Sequence, residues 1–396
     1  LSVGQDLAGN VITATPTSAS GSIIIDNTEP APFNTGTVVT VGGIVEAGYW
    51  NDSNTSLKVT VPIANDVSLT GGKIQIQGSI ADGSNGWQDL LSTPNSITNL
   101  NVDRVISLTQ AQVEDHADFL TTAQGKLYSF RALLTDLAGN LTTGSTSTTT
   151  LTIDTVLPGA FQTGSVSISG GIVQAGYWNA SNTGLTFSIP IADDATLTDG
   201  SVQIQGSINN GGYQNLGSAD PISTIYTTQT VSLLETDVDD YSSYANASSQ
   251  GKLYRFQALI TDKAGNQETG TVITNPLTID TVLPTAGLSY KDNNGQTVTR
   301  VKKDTIVLVT ATFNEAMAGS PVPKISATGV NVVTAIEMTY VSATEYTHSW
   351  TVSTGDGSNA FTLSVGQDIA GNEITATPTS ASGSIIIDNT APTAVF

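Results

Sequence analysis

The strongest constraint on this chain is that it repeats itself. Residues 1–28 return as residues 363–390, with only Leu7/Ile369 and Val11/Glu373 different. A shorter pattern recurs four times inside that period. It is Asp-x-Ala-Gly-Asn, then a Thr/Ser-rich run, then Ile-Asp-Thr or Ile-Asp-Asn. Its first aspartates are Asp6, Asp136, Asp262 and Asp368; its second are Asp26, Asp154, Asp280 and Asp388. Internal periods of this kind build stacked modules instead of one large core.

Two modules are close relatives. Ala47-Gly48-Tyr49-Trp50-Asn51 matches Ala175-Gly176-Tyr177-Trp178-Asn179, and Gly125-Lys126-Leu127-Tyr128 matches Gly251-Lys252-Leu253-Tyr254. A third, shorter module differs in its body but ends in the same pattern. The expected division is 1–28 as the C-terminal fragment of a repeat, 29–155 and 156–281 as repeats of one type, 282–390 as a second type, and 391–396 as the start of the next linker. Leu1 falls just before an Asp-x-Ala-Gly-Asn stretch, so the chain is expected to begin inside a module of something longer.

The local pattern is β throughout. Leu57-Lys58-Val59-Thr60-Val61 and Tyr128-Ser129-Phe130-Arg131-Ala132 alternate apolar with polar residues, the mark of half-buried strands. The 38 Gly and 14 Pro supply turns. One insertion, Thr109 to Leu120, reads as a short helix with Thr109 as N-cap and Gln112 completing a capping box. About seven strands per module is the content of an immunoglobulin-like sandwich. The expected fold is all-β, with tandem immunoglobulin-like β-sandwiches arranged end to end as a rod.

Asp-x-Ala-Gly-Asn with Ile-Asp-Thr-x-x-Pro resembles the bacterial immunoglobulin-like tandem repeats of giant surface adhesins of the RTX and biofilm type. Gly-Tyr-Trp-Asn-x-Ser-Asn-Thr and Thr312-Phe313-Asn314-Glu315-Ala316-Met317 resemble two repeat subtypes of that class. The resemblance implies extracellular tandem repeats at a bacterial cell surface, often stiffened by calcium, with no catalytic activity.

Composition points the same way. With 34 acidic against 13 basic residues the net charge is −21, which disfavours nucleic acid and anionic membranes and favours cations. There is no cysteine, hence no disulfide or thiol chemistry, and a secreted chain of this kind needs another stabiliser such as metal ions. No apolar run is long enough for a transmembrane helix. Only His116 and His348 are available, in different modules, so no Ser/His/Asp set is suggested. The reading is not an enzyme.

Strand direction places the aspartates. The last two strands of a sandwich run antiparallel, so the Asp-x-Ala-Gly-Asn loop before the last strand lies where the module begins. The aspartate after the last strand lies where it ends. The 14 steps from Asn140 to Asp154 span up to ~46 Å at ~3.3 Å each, so the two aspartates of one repeat cannot share an ion. Each linker aspartate can instead meet the loop of the following module, where a third loop brings Asn65-Asp66, Asp193-Asp194 or Asn314-Glu315. The expected clusters are Asp26, Asp66, Asp136 and Asn140; Asp154, Asp194, Asp262 and Asn266; and Asp280, Glu315, Asp368 and Asn372. Packed carboxylates need a cation, and Ca2+, which takes six to eight oxygens, fits better than magnesium. The alternative is turn chemistry alone, because Asp-x-Ala-Gly-Asn is also a good tight turn.

Tyr49-Trp50 and Tyr177-Trp178 read as one core ring and one junction ring each, or as exposed pairs for stacking on a sugar. Trp350 reads as core; Trp87 sits in a Gly/Ser-rich loop. Several Asn-x-Ser/Thr triplets, including Asn51-Asp52-Ser53 and Asn179-Ala180-Ser181, fit the glycosylation pattern, which chance also produces in such a chain.

The expected function is a structural extender or stalk segment of a large bacterial cell-surface adhesin or extracellular filament. Its partners are neighbouring repeats, with lateral self-association or a cell-surface glycan target as further possibilities, and no direct membrane insertion. The alternatives are a glycan- or partner-cell-binding module using the Tyr-Trp pairs, accessory domains of a secreted enzyme, and a homopolymeric filament joined by strand addition.

Overall fold

The computed structural model describes residues 8, 24–81, 85–119, 124–239, 241–242, 244, 249–375 and 384–394. Asp6, Leu120, Asp240 and the Asn246-Ala247-Ser248 triplet lie outside them. The chain separates into two compact units, residues 1–157 with 263–266, and residues 158–262 with 267–396.

Unit 1 holds one sandwich. The strand Ser56–Ile63 buries alternate residues and pairs antiparallel with Val38–Val41 on one side and Val102–Thr109 on the other. The opposing sheet runs in the order Tyr49–Trp50, Leu151–Ile153, Leu127–Thr135, Lys73–Ile80, Gln88–Asp89, with Asn95–Ser96 and Leu141–Thr143 as short additions. Leu57, Val59 and Val61 from the first sheet close on Ile74, Ile76, Tyr128 and Phe130 from the second, forming one buried core. Period-two patterning dictates this result, because each strand offers a single apolar face and the two faces can be hidden only against each other.

The Tyr49–Trp50 pair was not legible as a strand. It pairs in parallel with the last strand, Tyr49 opposite Thr152 and Trp50 opposite Ile153. The insertion forms the helix Gln110–Glu114 with the Thr109–Gln112 capping box in place, and ends at Asp115, short of the expected Leu120. Trp87 is half-buried and carries the Arg131 guanidinium 4.3 Å from its ring centre, a cation–π contact.

Unit 2 holds two sandwiches with separate cores. The first repeats the layout of unit 1. Ser165–Ser169, Gly184–Ile191 and Thr227–Leu234 face a sheet ordered Tyr177–Asn179, Leu277–Asp280, Leu253–Thr261, Ser201–Ile208, Gln214–Asn215. The second pairs a four-stranded sheet (Ala286–Lys291, Ile306–Phe313, Glu345–Thr351, Thr339–Ser342) with a five-stranded one (Arg300–Val301, Ser384–Ile387, Gly357–Ser364, Lys324–Gly329, Val333–Glu337). Trp350 is buried there against the edge of Phe361, as its alternating strand predicts. No described helix is long and apolar enough to cross a membrane.

Candidate junction site

Both sandwiches of unit 2 contribute to one polar cluster. Its base is the Asp368–Asn372 turn. The Asp368 N–H donates to the Asn372 carbonyl at 3.0 Å, and Asp368 Oδ1 accepts from the Asn372 N–H at 2.9 Å. Gly371 sits at φ +92°, a conformation glycine adopts without a Cβ penalty. The Asn372 side-chain NH2 donates to Asp368 Oδ2 at 2.8 Å and to the Asp280 carbonyl at 2.9 Å, while its Oδ1 accepts from the Ala180 N–H at 2.8 Å. The contact with the Ala180 donor fixes which way the amide points.

The other half comes from the Asn-Ala-Ser-Asn stretch after Trp178. Asn179 is fully buried; its side-chain NH2 donates to the carbonyls of Ile172 (2.7 Å) and Ala370 (2.8 Å). Its Oδ1 accepts from the N–H and Oγ of Ser181, and its own N–H is held by Asn182 Oδ1. The turn thus braces one amide and aims it at the Ala-Gly-Asn loop of the following sandwich. All four polar valences of the Asn179 side chain are used, as burial requires.

Beside this latch lie three carboxylates. Asp280 ends its strand, Glu315 follows the strand Ile306–Phe313, and Asp368 is buried in its turn; one oxygen of each lies within 4.8 Å of the others. Burial, then the nearby charges of Asp280 and Asp368, push the Glu315 carboxyl up to about 6, with a bond from Asn314 partly opposing. Burial and then Asp368 raise Asp280 as well. Among the described ion pairs none includes these three acids. The donor set is all carboxylate, the chemistry of a hard, oxygen-seeking cation such as Ca2+.

Unit 1 repeats the latch with different neighbours. The Asn51 side-chain NH2 donates to Ile44 O at 2.8 Å and Ala264 O at 2.7 Å, and the Asp52 N–H donates to Asn266 Oδ1 at 3.0 Å. The Asn266 NH2 donates to the Asp154 carbonyl at 3.0 Å. These bonds are why residues 263–266 belong with unit 1. At the start of the unit, the Asn140 NH2 donates to the Asp26 carbonyl at 3.1 Å and Asp136 Oδ2 at 2.9 Å. Burial works to raise the Asp136 carboxyl. The Asn140 side chain and the N–H groups of Asn140, Gly139 and Ala138 outweigh it and hold the group below the usual range.

Of the expected clusters, one brings its three acids together among the described residues. Asp280, Glu315 and Asp368 converge; Asp26, Asp66 and Asp136 do not meet that criterion. Asp66 and Asp194 each cap a 3-10 turn, accepting at Oδ1 from Ser68 and Thr196 respectively. Asp262 is buried. Asn140, Asn266 and Asn372 each donate the side-chain NH2 to the carbonyl of a linker aspartate, Asp26, Asp154 and Asp280 respectively, and the side-chain oxygens of Asn266 and Asn372 accept from the Asp52 and Ala180 N–H groups. The indoles of Trp50 and Trp178 are fully buried, their N–H groups taken by Glu114 Oε1 (3.2 Å) and Tyr244 OH (2.6 Å), which removes them as a sugar-stacking surface. Tyr49 and Tyr177 are half-buried. Burial of Asn51 and Asn179 likewise corrects the glycosylation reading of their triplets. The signal for the latch was present: Asn, Ser and Asn recur at 51, 53, 54 and 179, 181, 182 while the residue between changes from Asp52 to Ala180.

No family model matches the chain, and no curated protein matches it. Among solved structures it is similar to the FN1-FN3 domains of chicken CNTN1, at 13% identity over 89% of this chain and 98% of that one, with a TM-score of 0.24. It is similar also to extracellular domains 3-5 of Drosophila OTK, at 11% identity over 92% of this chain and 99% of that one, with a TM-score of 0.21. At these values the likeness bears on neither ligand nor partner, and the fold class rests on the sheets and cores themselves.

Proposed function

We propose that this chain is an extender segment of a large extracellular protein of the bacterial surface, whose work is to project and space other parts without catalysis. The observation that carries the reading is the shared construction at Asp280: a buried asparagine of one sandwich bonded to the Ala-Gly-Asn loop of the next, beside three uncompensated carboxylates. A bond set of this kind resists bending between consecutive sandwiches.

Asp280, Glu315 and Asp368 would hold a calcium ion, which would supply the positive charge these carboxylates lack and tie the linker to both loops of the following sandwich. An ion specific to the folded chain at ~100 times its Kd adds ~2.7 kcal/mol per site. Calorimetric titration of the full chain with calcium tests this. Binding that is lost in Glu315→Gln supports the reading; no binding heat, or binding unchanged in that variant, contradicts the metal assignment.

A further inference from the structure

The outer face of the larger sheet carries a polar row in the first two sandwiches. In unit 1, Arg131, Gln77 and Asp89 stand opposite one another on three neighbouring strands. Ile76 and Ala132 face the core, so the alternation turns Gln77 and Arg131 outward. The Arg131 Nε–H donates to Gln77 Oε1 at 2.8 Å, and the Gln77 NH2 donates to Asp89 Oδ1 at 2.8 Å. The second sandwich repeats the row with Gln257, Gln205 and Asn215, joined by bonds of 2.8 and 2.9 Å.

What changes between the two is where the arginine stands. The second sandwich has Gln257 where the first has Arg131, and Arg255 where the first has Ser129. Residues two apart on a strand share a face, so the cation stays on the outer surface. It also stays beside a ring. Arg131 lies over Trp87, and Tyr213 precedes Gln214–Asn215 as Trp87 precedes Gln88–Asp89. Burial raises the Tyr213 hydroxyl, and the Arg255 charge is close enough to work against that rise. Two of the four arginines in a chain with 34 acidic residues thus accompany an aromatic ring on the same sheet face. The third sandwich lacks the arrangement; its one arginine, Arg300, pairs with Asp388 at 3.0 Å.

The row has a defined chemistry. Among the described residues Arg131 makes hydrogen bonds through Nε alone. Gln77 holds the guanidinium from one side and the Trp87 ring supports its face, so the two terminal nitrogens form a fixed fork. Such a fork takes a carboxylate through two parallel hydrogen bonds. About 9–10 Å away, across two strand spacings, exposed Asp89 offers acceptor oxygens for hydroxyl groups. The row is wholly polar, unlike the apolar centre of a protein–protein interface. A fitting ligand carries carboxylates and hydroxyls along its length, which is the pattern of an acidic sugar chain.

We propose that the Arg131–Gln77–Asp89 row, with its counterpart around Arg255, Gln205 and Asn215, binds a uronate-bearing polysaccharide. The net charge of −21 does not prevent this, because screening at physiological salt limits each distant charge to about 8 Å. The segment then contacts an acidic matrix along its side, through two sites that do not involve Asp280 and need no calcium.

The test titrates the full chain calorimetrically, in chelator so that no calcium can bridge. The probes are hexagalacturonate, its methyl ester with the carboxylates blocked, and polyglutamate, which has carboxylates without hydroxyls. Arg131→Gln and Arg255→Ser each install the residue that the other sandwich carries at that position, and unchanged melting temperatures check that the fold is kept. The expected result is two hexagalacturonate sites per chain, one in each single variant, and at least tenfold weaker binding in the double variant. The methyl ester and polyglutamate should also bind at least tenfold more weakly. No binding of hexagalacturonate, or binding unchanged in the double variant, overturns the inference. Equal binding of polyglutamate overturns the sugar assignment and gives the row to acidic protein segments.

Discussion

The side-chain amide of Asn179 donates to the carbonyl of Ala370 at 2.8 Å, joining residues 191 positions apart and two separate cores. Asn51 makes the same bond to Ala264 at 2.7 Å. The Gly-Tyr-Trp-Asn and Asp-x-Ala-Gly-Asn motifs thus supply the two ends of the same bond.

Asn179→Ala is expected to lower stability by ~1–3 kcal/mol, because it strips the side-chain donor from the buried Ala370 carbonyl and the acceptor from Ser181, while the Ile172 carbonyl keeps the Asn182 amide at 3.1 Å. Asn179→Asp should be at least as damaging, since it points a carboxylate oxygen at those carbonyls. Denaturant midpoints of the three proteins check this; equal midpoints for wild type and Asn179→Ala would remove the latch as a stabilising element.

Glycine substitutions should rank by what the loop touches. Gly371 at φ +92° and Gly139 at φ +102° carry similar backbone strain when replaced by alanine, ~1–2 kcal/mol. A Cβ at Gly371 would stand 3.0 Å from Asn179 Nδ2, while one at Gly139 meets nothing within 4 Å. Gly371→Ala should therefore be the more destabilising in thermal melts, and the reverse order would contradict the packing described.

The pH response of the calcium-free chain has a definite sign. The Glu315 carboxyl is raised to about 6 in the folded chain, by burial and then by Asp280 and Asp368, and Asp280 is raised too. The folded form binds more protons than the unfolded form between the unfolded pKa, about 4.3, and about 6. Stability is therefore present below that window and falls as pH rises through it. Melting temperature from pH 4 to 7 in chelator should show this decline, and both calcium and Glu315→Gln should flatten it.

Trp178→Ala should cost ~3–5 kcal/mol, the range for emptying a buried large aromatic site. A variant that keeps wild-type stability would place the indole outside the core and reopen a binding role for the pair.

Much of the fold was legible because its signals are local. Alternation along Leu57–Val61 fixes which residues face the core, and the four-fold aspartate pattern marks where each sandwich ends. Tyr49–Trp50 escaped, because a two-residue strand has no period to read. In the site, strand direction correctly brought Asp280 to Glu315 and Asp368. The role of Asn372 was not legible, since whether an amide offers its oxygen or its nitrogen depends on Ala180, 192 residues away. The pairing of Arg300 with Asp388 was hidden for the same reason: the two meet only through the parallel pairing of Arg300–Val301 with Ser384–Ile387.

The central claim, that calcium at the Asp280 junction stiffens an extender, is tested most directly by small-angle scattering of the full chain in calcium and in chelator. A larger maximum dimension with calcium, abolished by Glu315→Gln, is the predicted result. Superimposable curves in calcium and chelator would contradict it.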